Sequence, residues 1–343
     1  MSGMENPGKR RRRRGRRPPP VLAALDLGTN NCRLLIATPA PDGGMRIVDS
    51  FSRIVRLGEG VTRSGVLSEA AMERTVAALK VCAARMDKAK VRHVRAVATE
   101  ACRQAANAPV LVERVAREAG IALTVISSAE EARLAALGCA PLIGEEYEGG
   151  LVFDIGGGST EVIWLKREAG ARPLIVHFAS VPLGVMTLAE INGDSDAAAG
   201  GSSDAARYAA MHADMRARFT AMRHDMERKG VFDETRHHLL GTSGTVTTLA
   251  GVVLKLPRYV RARVDSSWHD CADVLKVAAD LVAMDRKTRA QEGCIGIERA
   301  DMIVPGCAIF TAIHDVWPCT RLRVADRGLR EGILRELMAE ARR

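Results

Sequence analysis

The stretch LVFDIGGGSTEVIWL, residues 151 to 165, sets three consecutive glycines between two runs of strand-type residues. Asp154 stands just before the glycines and Glu161 just after the Ser-Thr pair. Consecutive glycines enlarge the entropy that folding must overcome, so a purely structural hairpin turn uses one or two. A turn this bare predicts that something comes close to its backbone. The pattern fits a hairpin that wraps a phosphate with backbone amides while Asp154 and Glu161 hold a hydrated Mg²⁺. In purely structural terms, Asp154 would be a turn aspartate and Glu161 a residue on the solvent face of a strand.

The same device occurs earlier in the chain. When ALDLGTNNCRLLI (24 to 36) is laid above VFDIGGGSTEVIW (152 to 164), Asp26 falls on Asp154, Gly28 on Gly156 and Asn31 on Ser159. Leu34-Leu35 falls on Val162-Ile163 at the same offset. Both stretches read as strand, tight polar turn, strand, so the chain is expected to be two related α/β halves. After the first hairpin, RIVDSFSRIVRLGEG reads as a further strand pair. A helix opened by Ser68 follows, with Met72, Val76, Leu79, Ala83 and Met86 at three- and four-residue spacing. Next come a strand at 94 to 99, a helix near 109 to 119 ended by Gly120, and the strand ALTVIS. The second half repeats the order: a strand PLIVHFAS, a long helix over 204 to 229, the short strand HHLLG (237 to 241) and a helix after Gly244. Helices near 300 to 316 and 328 to 341 close the chain.

The loop GTSGTVTTLAG (241 to 251) joins a strand to a helix. Gly241 and Gly244 let its backbone bend, and Thr242, Ser243 and Thr245 offer hydroxyl and amide donors at a helix N-terminus, an anion site in kind. Three such loops at strand ends predict a cleft for several phosphates. Neither Gly-x4-Gly-Lys-Ser/Thr nor a Gly-x-Gly-x-x-Gly opening a helix after the first strand is present.

Composition narrows the function classes. Of 343 residues, 47% are hydrophobic and 27% charged, an ordinary globular balance, and no apolar run approaches a membrane span. The net charge of +9 is concentrated at one end: residues 1 to 20 hold eight Lys/Arg and one Glu, leaving 42 basic against 40 acidic residues elsewhere. That Arg-rich tail is expected to be disordered, either simply solvated or an arm that collects polyanions, nucleic acid included. The apolar VLAAL behind it is too short for a signal sequence, so a cytoplasmic protein is expected. Eight scattered cysteines without a Cys-x-x-Cys pair predict buried, reduced thiols. The histidines suggest core or surface roles rather than metal ligation: His237-His238 begin a strand, and no His-x3-His exists.

Five ordered blocks resemble the exopolyphosphatase / guanosine-pentaphosphate phosphatase (Ppx/GppA) family: ALDLGTNNCRLLI, VATEACRQAAN (97 to 107), ISSAEEARLAALG (126 to 138), VFDIGGGSTEV with SVPLGVMTL (180 to 188), and GTSGTVTTLAG. The closing GLREGIL (328 to 334) matches as well, and the chain ends soon after it, like the family's short form without the HD-like domain. The resemblance implies two duplicated domains of the actin, Hsp70 and sugar-kinase (ribonuclease H-like) class with a cleft between them. Their expected extents are 21–127, with the C-terminal helix 328–343 returning to it, and 128–327.

The resemblance also implies residue roles. Glu131 would be the general base for a water attacking a terminal phosphoryl group, although Ser128-Ala129-Glu130-Glu131 reads equally as a capping box at a helix start. Asp154 and Glu161 would hold Mg²⁺ or Mn²⁺. Gly156, Gly157, Gly158, Ser159 and Thr160 would cradle the terminal phosphate, with Gly28, Thr29, Asn30 and Asn31 facing them. Arg103 matches the family's phosphate-contacting arginine, and Arg33 is placed to face the same turn. The expected activity is release of orthophosphate from polyphosphate ends. Cleavage of the 5′-terminal phosphate of pppGpp is the alternative, with guanine stacking disfavoured by only 3% aromatic residues. A kinase on the same fold and a non-catalytic polyphosphate or nucleic-acid binder are further alternatives, and a homodimer is expected.

Overall fold

A computed structural model describes residues 18–168, 173–192, 204–230 and 232–342. The Arg-rich segment 1–17 lies outside the described residues, and with it the expectation of disorder there.

In the first half, β1 (Leu22–Leu27), β2 (Asn31–Pro39) and β3 (Met45–Ile54) are followed by α1 (Val61–Ser64) and α2 (Glu69–Lys88). Then come β4 (His93–Ala98), α3 (Glu100–Gln104), α4 (Ala108–Ala119) and β5 (Leu123–Val125), and α5 (Ser128–Cys139) leads out. The second half runs β6 (Gly149–Ile155), β7 (Thr160–Lys166), β8 (Leu174–Val181), α6 (Val185–Ile191), α7 (Asp204–Glu227), β9 (His237–Thr242) and α8 (Ser243–Val253). It continues through α9 (Arg261–Val264), β10 (Trp268–Asp270), α10 (Cys271–Ala283), α11 (Arg286–Gln291), α12 (Ile303–Val316), β11 (Arg321–Ala325) and α13 (Leu329–Glu340).

The sheets repeat one topology. The first is ordered β3-β2-β1-β4-β5 and the second β10-β11-β9-β6-β7-β8. In each, the opening hairpin is antiparallel and its first strand also pairs in parallel with a later one, β1 with β4 and β6 with β9. Apart from the added edge strand β10, the second sheet is the first written again.

Local chemistry sets the element ends. The Ser68 side chain accepts from the Ala71 amide to start α2, and Gly120 ends α4 in the left-handed region at φ 65°. Met72, Val76, Leu79 and Met86 are buried on the inner face of α2. RIVDSFSRIVRLGEG departs from expectation: it holds the single strand β3, and the chain then turns away as Val55 and Arg56 donate backbone bonds to the Asn30 carbonyl. The helix start at the third loop is Ser243, one residue before Gly244.

α13 packs against β1, β2 and α5. Glycines allow the close helix crossing, since a Cβ at Gly138 or Gly332 would stand 2.0 Å from a carbonyl oxygen of the facing helix segment, Gly328 or Leu134. The halves also meet where the Gly60 amide donates to Glu190 Oε1 at 2.9 Å. All eight cysteines are buried and free. His237 and His238 are buried in β9, where burial pushes both imidazoles toward neutrality, His238 to about 4. No helix of the described residues is long and apolar enough to cross a membrane.

Candidate active site

The two polar turns face each other across a cavity of about 130 Å³. Each is closed by the same bond, Gly28 N–H to the Asn31 carbonyl and Gly156 N–H to the Ser159 carbonyl, both 2.9 Å. The inner carbonyls of each turn are taken from outside. Val55 and Arg56 donate to Asn30 and Gly58 to Thr29, while Val185 donates to Gly156 and Met186 to Gly157. Among the described residues, Gly157, Gly158 and Ser159 donate no backbone hydrogen bond. With carbonyls bound and amides free, the second turn presents donors to an anion. The turns also touch. A Cβ at Gly158 would lie 2.4 Å from Thr29 Oγ1, and one at Gly157 would lie 3.1 Å from Asn30 Cβ.

A third wall is the start of α8. Ser243, Gly244 and Thr245 line the cavity, and Ser243 adopts φ 88°, a left-handed conformation costly for a side-chain-bearing residue. Its buried hydroxyl has no hydrogen-bond partner among the described residues. A strained serine with an unanswered hydroxyl, beside free amides at a helix N-terminus, suits a phosphate oxygen as partner.

Glu131 reaches the cavity from the first turn of α5. The helix cap lies one residue earlier than the Ser128 reading placed it: the Ser127 hydroxyl accepts from the Glu130 amide at 3.2 Å. Glu130 is turned outward, bonded to Arg95 at 2.6 Å and Arg133 at 2.7 Å, and both arginines also hold Glu336 of α13. Glu131 is thereby free of any capping duty. Its Oε2 accepts from Arg103 Nη1 at 2.7 Å.

Of the five carboxylates on the wall, four act on one another: Asp26, Glu131, Asp154 and Glu161. Asp154 and Glu161 are directly opposed in the β6–β7 register and so share a sheet face. Burial raises Asp154 to about 6, opposed by the Arg33 charge and reinforced by Asp26. Burial and the Asp154 charge raise Glu161 to about 7, against a Ser180 hydroxyl bond of 2.8 Å. Glu131 is pushed well above the usual carboxylate range by burial and by Glu161, despite Arg103. Crowded buried carboxylates of this kind favour a proton or a cation.

No three His, Cys, Asp or Glu side chains among the described residues form a group able to hold a metal ion by themselves. Mg²⁺ does not need one, because it keeps several waters and takes one or two carboxylates together with phosphate oxygens. The Asp154–Glu161 pair fits that donor set.

A second cavity of about 320 Å³ adjoins the first and shares Asp26, Arg33, Asp154, Ser243, Gly244, Arg299 and Leu329 with it. Arg261, Arg327 and Arg330 line its wall, with Phe51 and Tyr259.

The Ppx/GppA phosphatase family model matches residues 36–341. The chain belongs to this family. Membership makes it an enzyme, a phosphoanhydride hydrolase. It is 32% identical over 296 residues to exopolyphosphatase 2 of Mycobacterium tuberculosis, covering 84% of this chain and 88% of that one. It is 26% identical over 317 residues to a putative exopolyphosphatase of Haemophilus influenzae, covering 92% and 91%. Among solved structures, the Aquifex aeolicus Ppx/GppA family member superposes with a TM-score of 0.75 at 29% identity, over 95% of this chain and all of that one. An exopolyphosphatase from Cytophaga hutchinsonii gives 0.80 at 26%, over 93% and 98%. The fold class expected from the sequence is the one the chain has.

Set in this Ppx/GppA cleft, most of the anticipated residues line the cavity: Gly28, Thr29, Asn30, Asn31, Arg33, Glu131, Asp154, Gly156, Gly157, Ser159, Glu161, Ser243, Gly244 and Thr245. Five do not. Arg103 lies behind Glu131, bonded to it and to Glu100. Gly158 is a packing contact between the turns. The Thr160 hydroxyl is buried on the Leu183 carbonyl at 2.8 Å, and that of Thr242 is held on the Arg327 carbonyl at 2.7 Å. Gly241 is pressed against Phe153 and Val246, 2.6 Å from where its Cβ would sit. Asp26, Thr99, Thr248, Glu298 and Arg299 also stand on the wall, none of them anticipated from the sequence. Asp26 carried a signal, since it is the repeat partner of Asp154. By the same offset Arg33 answers to Glu161, so one hairpin carries Asp with Arg where the other carries Asp with Glu.

Proposed function

We propose that the protein is an exopolyphosphatase, removing the terminal phosphate of inorganic polyphosphate as orthophosphate. The observation that carries this reading is a carboxylate released from capping duty, Glu131, in one cavity with two glycine turns and the α8 N-terminus. The amides of Gly157 and Ser159 and the Ser243 hydroxyl bind oxygens of the terminal phosphate. Glu131, ionised once a bound cation would offset the Glu161 charge that raises it, accepts a proton from a water as the water's oxygen bonds to the terminal phosphorus. The P–O bond to the next phosphate breaks, and the shortened chain leaves with its bridging oxygen. Asp154 and Glu161 would hold Mg²⁺ or Mn²⁺, which supplies charge neutralisation on the phosphate oxygens. Arg33, on the wall of both cavities, offers a guanidinium to the same charge.

Two features favour polyphosphate. Among the described residues no aromatic side chain lines the first cavity, and Arg33, Arg299 and Arg330 on the adjoining wall form no ion pair there, which leaves them for further phosphates of a chain. Phe51 and Tyr259 in that chamber give the pppGpp reading its support, as surfaces on which a guanine can lie. We further assign the cleft to the junction of a domain over 21–127 with α13 and a domain over 128–327, in a cytoplasmic homodimer. Orthophosphate release from long-chain polyphosphate and from pppGpp, measured side by side with Mg²⁺, tests the reading. Higher kcat/KM on polyphosphate is expected, and faster turnover of pppGpp would reverse the assignment.

A further inference from the structure

We infer that Glu100 is a positioning residue for the reaction, acting through Arg103 on Glu131. The inference rests on the proposed role of Glu131 as general base. α3 begins directly after β4, and Glu100 and Arg103 are three residues apart on it, so their side chains emerge from the same face. Glu100 is only 8% exposed. Its Oε2 accepts from Arg103 Nε at 2.8 Å and from Nη2 at 2.5 Å, and its Oε1 accepts from Gln104 Nε2 at 2.7 Å. Both carboxylate oxygens are engaged, so the guanidinium plane is fixed on its Nε edge.

The opposite corner of that plane does the work. Arg103 Nη1 donates to Glu131 Oε2 at 2.7 Å and to the Ile126 carbonyl at 3.0 Å. Ile126 immediately precedes Ser127, the residue that caps α5. One guanidinium therefore fixes both the Glu131 carboxylate and the backbone from which its helix springs. Four of the five N–H donors of Arg103 are spent in this way, and the residue is off the cavity wall. It holds the base instead of the phosphate. Glu131 Oε1 has no hydrogen-bond partner among the described residues, so it is the oxygen left to meet a water. The order Glu100, Arg103, Glu131 follows from which group touches which.

The test uses the full chain with long-chain polyphosphate and Mg²⁺, reading initial rates of orthophosphate release. Glu100→Gln keeps the shape but weakens the grip on Arg103, and kcat is expected to fall about 10- to 100-fold with KM within about twofold. In a Glu131→Gln background the same substitution should cost nothing further, because the pathway it serves is already gone. Arg103→Lys keeps the charge but cannot bridge Glu100, Ile126 and Glu131 at once, so it should show the same split. It also carries the test if Glu100→Gln does not fold. Parental kcat in folded Glu100→Gln overturns the inference, as does an equal loss in both backgrounds. A raised KM at unchanged kcat in Arg103→Lys overturns it too, by putting Arg103 on the substrate. Parental turnover in Glu131→Gln would remove the base assignment itself. An inactive Glu131→Gln beside a fully active Glu100→Gln removes only the positioning chain.

Discussion

Asp154→Asn should make the metal-free protein more stable at pH 8 while weakening its chemistry. Burial raises Asp154 from its ordinary 3.8 to about 6, so the folded state resists its ionisation. Below about pH 3 the carboxyl is neutral in folded and unfolded chains alike, and the fold carries no penalty. As pH climbs through 6 the unfolded chain is already ionised and the folded one must ionise in its half-buried site. By pH 8 the whole cost is present. A rise of this size corresponds to about 3 kcal/mol. Asp154 is only partly buried, and solvent screening brings the expectation to about 1–2 kcal/mol. Asparagine never ionises, so thermal unfolding in EDTA at pH 8 should show Tm about 3 °C above the parent. At pH 4.5 the gain should shrink to about a third. A Tm at pH 8 no higher than the parent's, or a gain independent of pH, would refute the reasoning.

Other expectations follow from the same cleft. Orthophosphate release should require Mg²⁺ or Mn²⁺, with Asp154→Asn raising the metal concentration for half activity; full turnover in excess EDTA would contradict the metal role. Gly158→Ala should lower kcat/KM about tenfold by driving a methyl into Thr29, with partial recovery on adding Thr29→Ala. No recovery in the double variant would place the damage elsewhere than at the touching turns. Deleting residues 1–17 should raise KM for long polyphosphate, most at low salt, and leave short chains unaffected, since a basic arm binds a polyanion by releasing counterions. An unchanged KM for long chains at low ionic strength would remove the arm from substrate capture.

The duplicated hairpins were readable because their signal is local. A strand, a four-residue polar turn and a second strand are set by residues within reach of one another, and both turns carry the same closing bond. Ser68 and Gly120 likewise announced the helix ends they make. The cap of α5 slipped by one residue because Ser127 and Ser128 are adjacent, with Glu130 and Glu131 three residues beyond each. Only the outward pull of Arg95 and Arg133 on Glu130 decides between them. β10 and β11 span three and five residues, too short for period-two alternation to stand out, and their places come from pairing with each other and with β9. α10 was not anticipated, although Val274, Ala278 and Leu281 mark its buried face at helical spacing. Among site residues, the misses are tertiary. Nothing near Arg103 in the chain says that Glu131, from another helix, takes the donors a phosphate was expected to receive. Glu298 and Arg299 join the wall from a turn that carries no motif.

The most direct test of the central claim is the turnover of Glu131→Gln on long-chain polyphosphate with saturating Mg²⁺, beside Glu130→Gln. Loss of a general base predicts kcat lower by about 10² to 10⁴ in Glu131→Gln, with its fold intact. Glu130→Gln removes bonds only on the outer side of the same helix and should turn over at close to the parental rate. Equal, small effects of the two substitutions would contradict the assignment of Glu131 as the base.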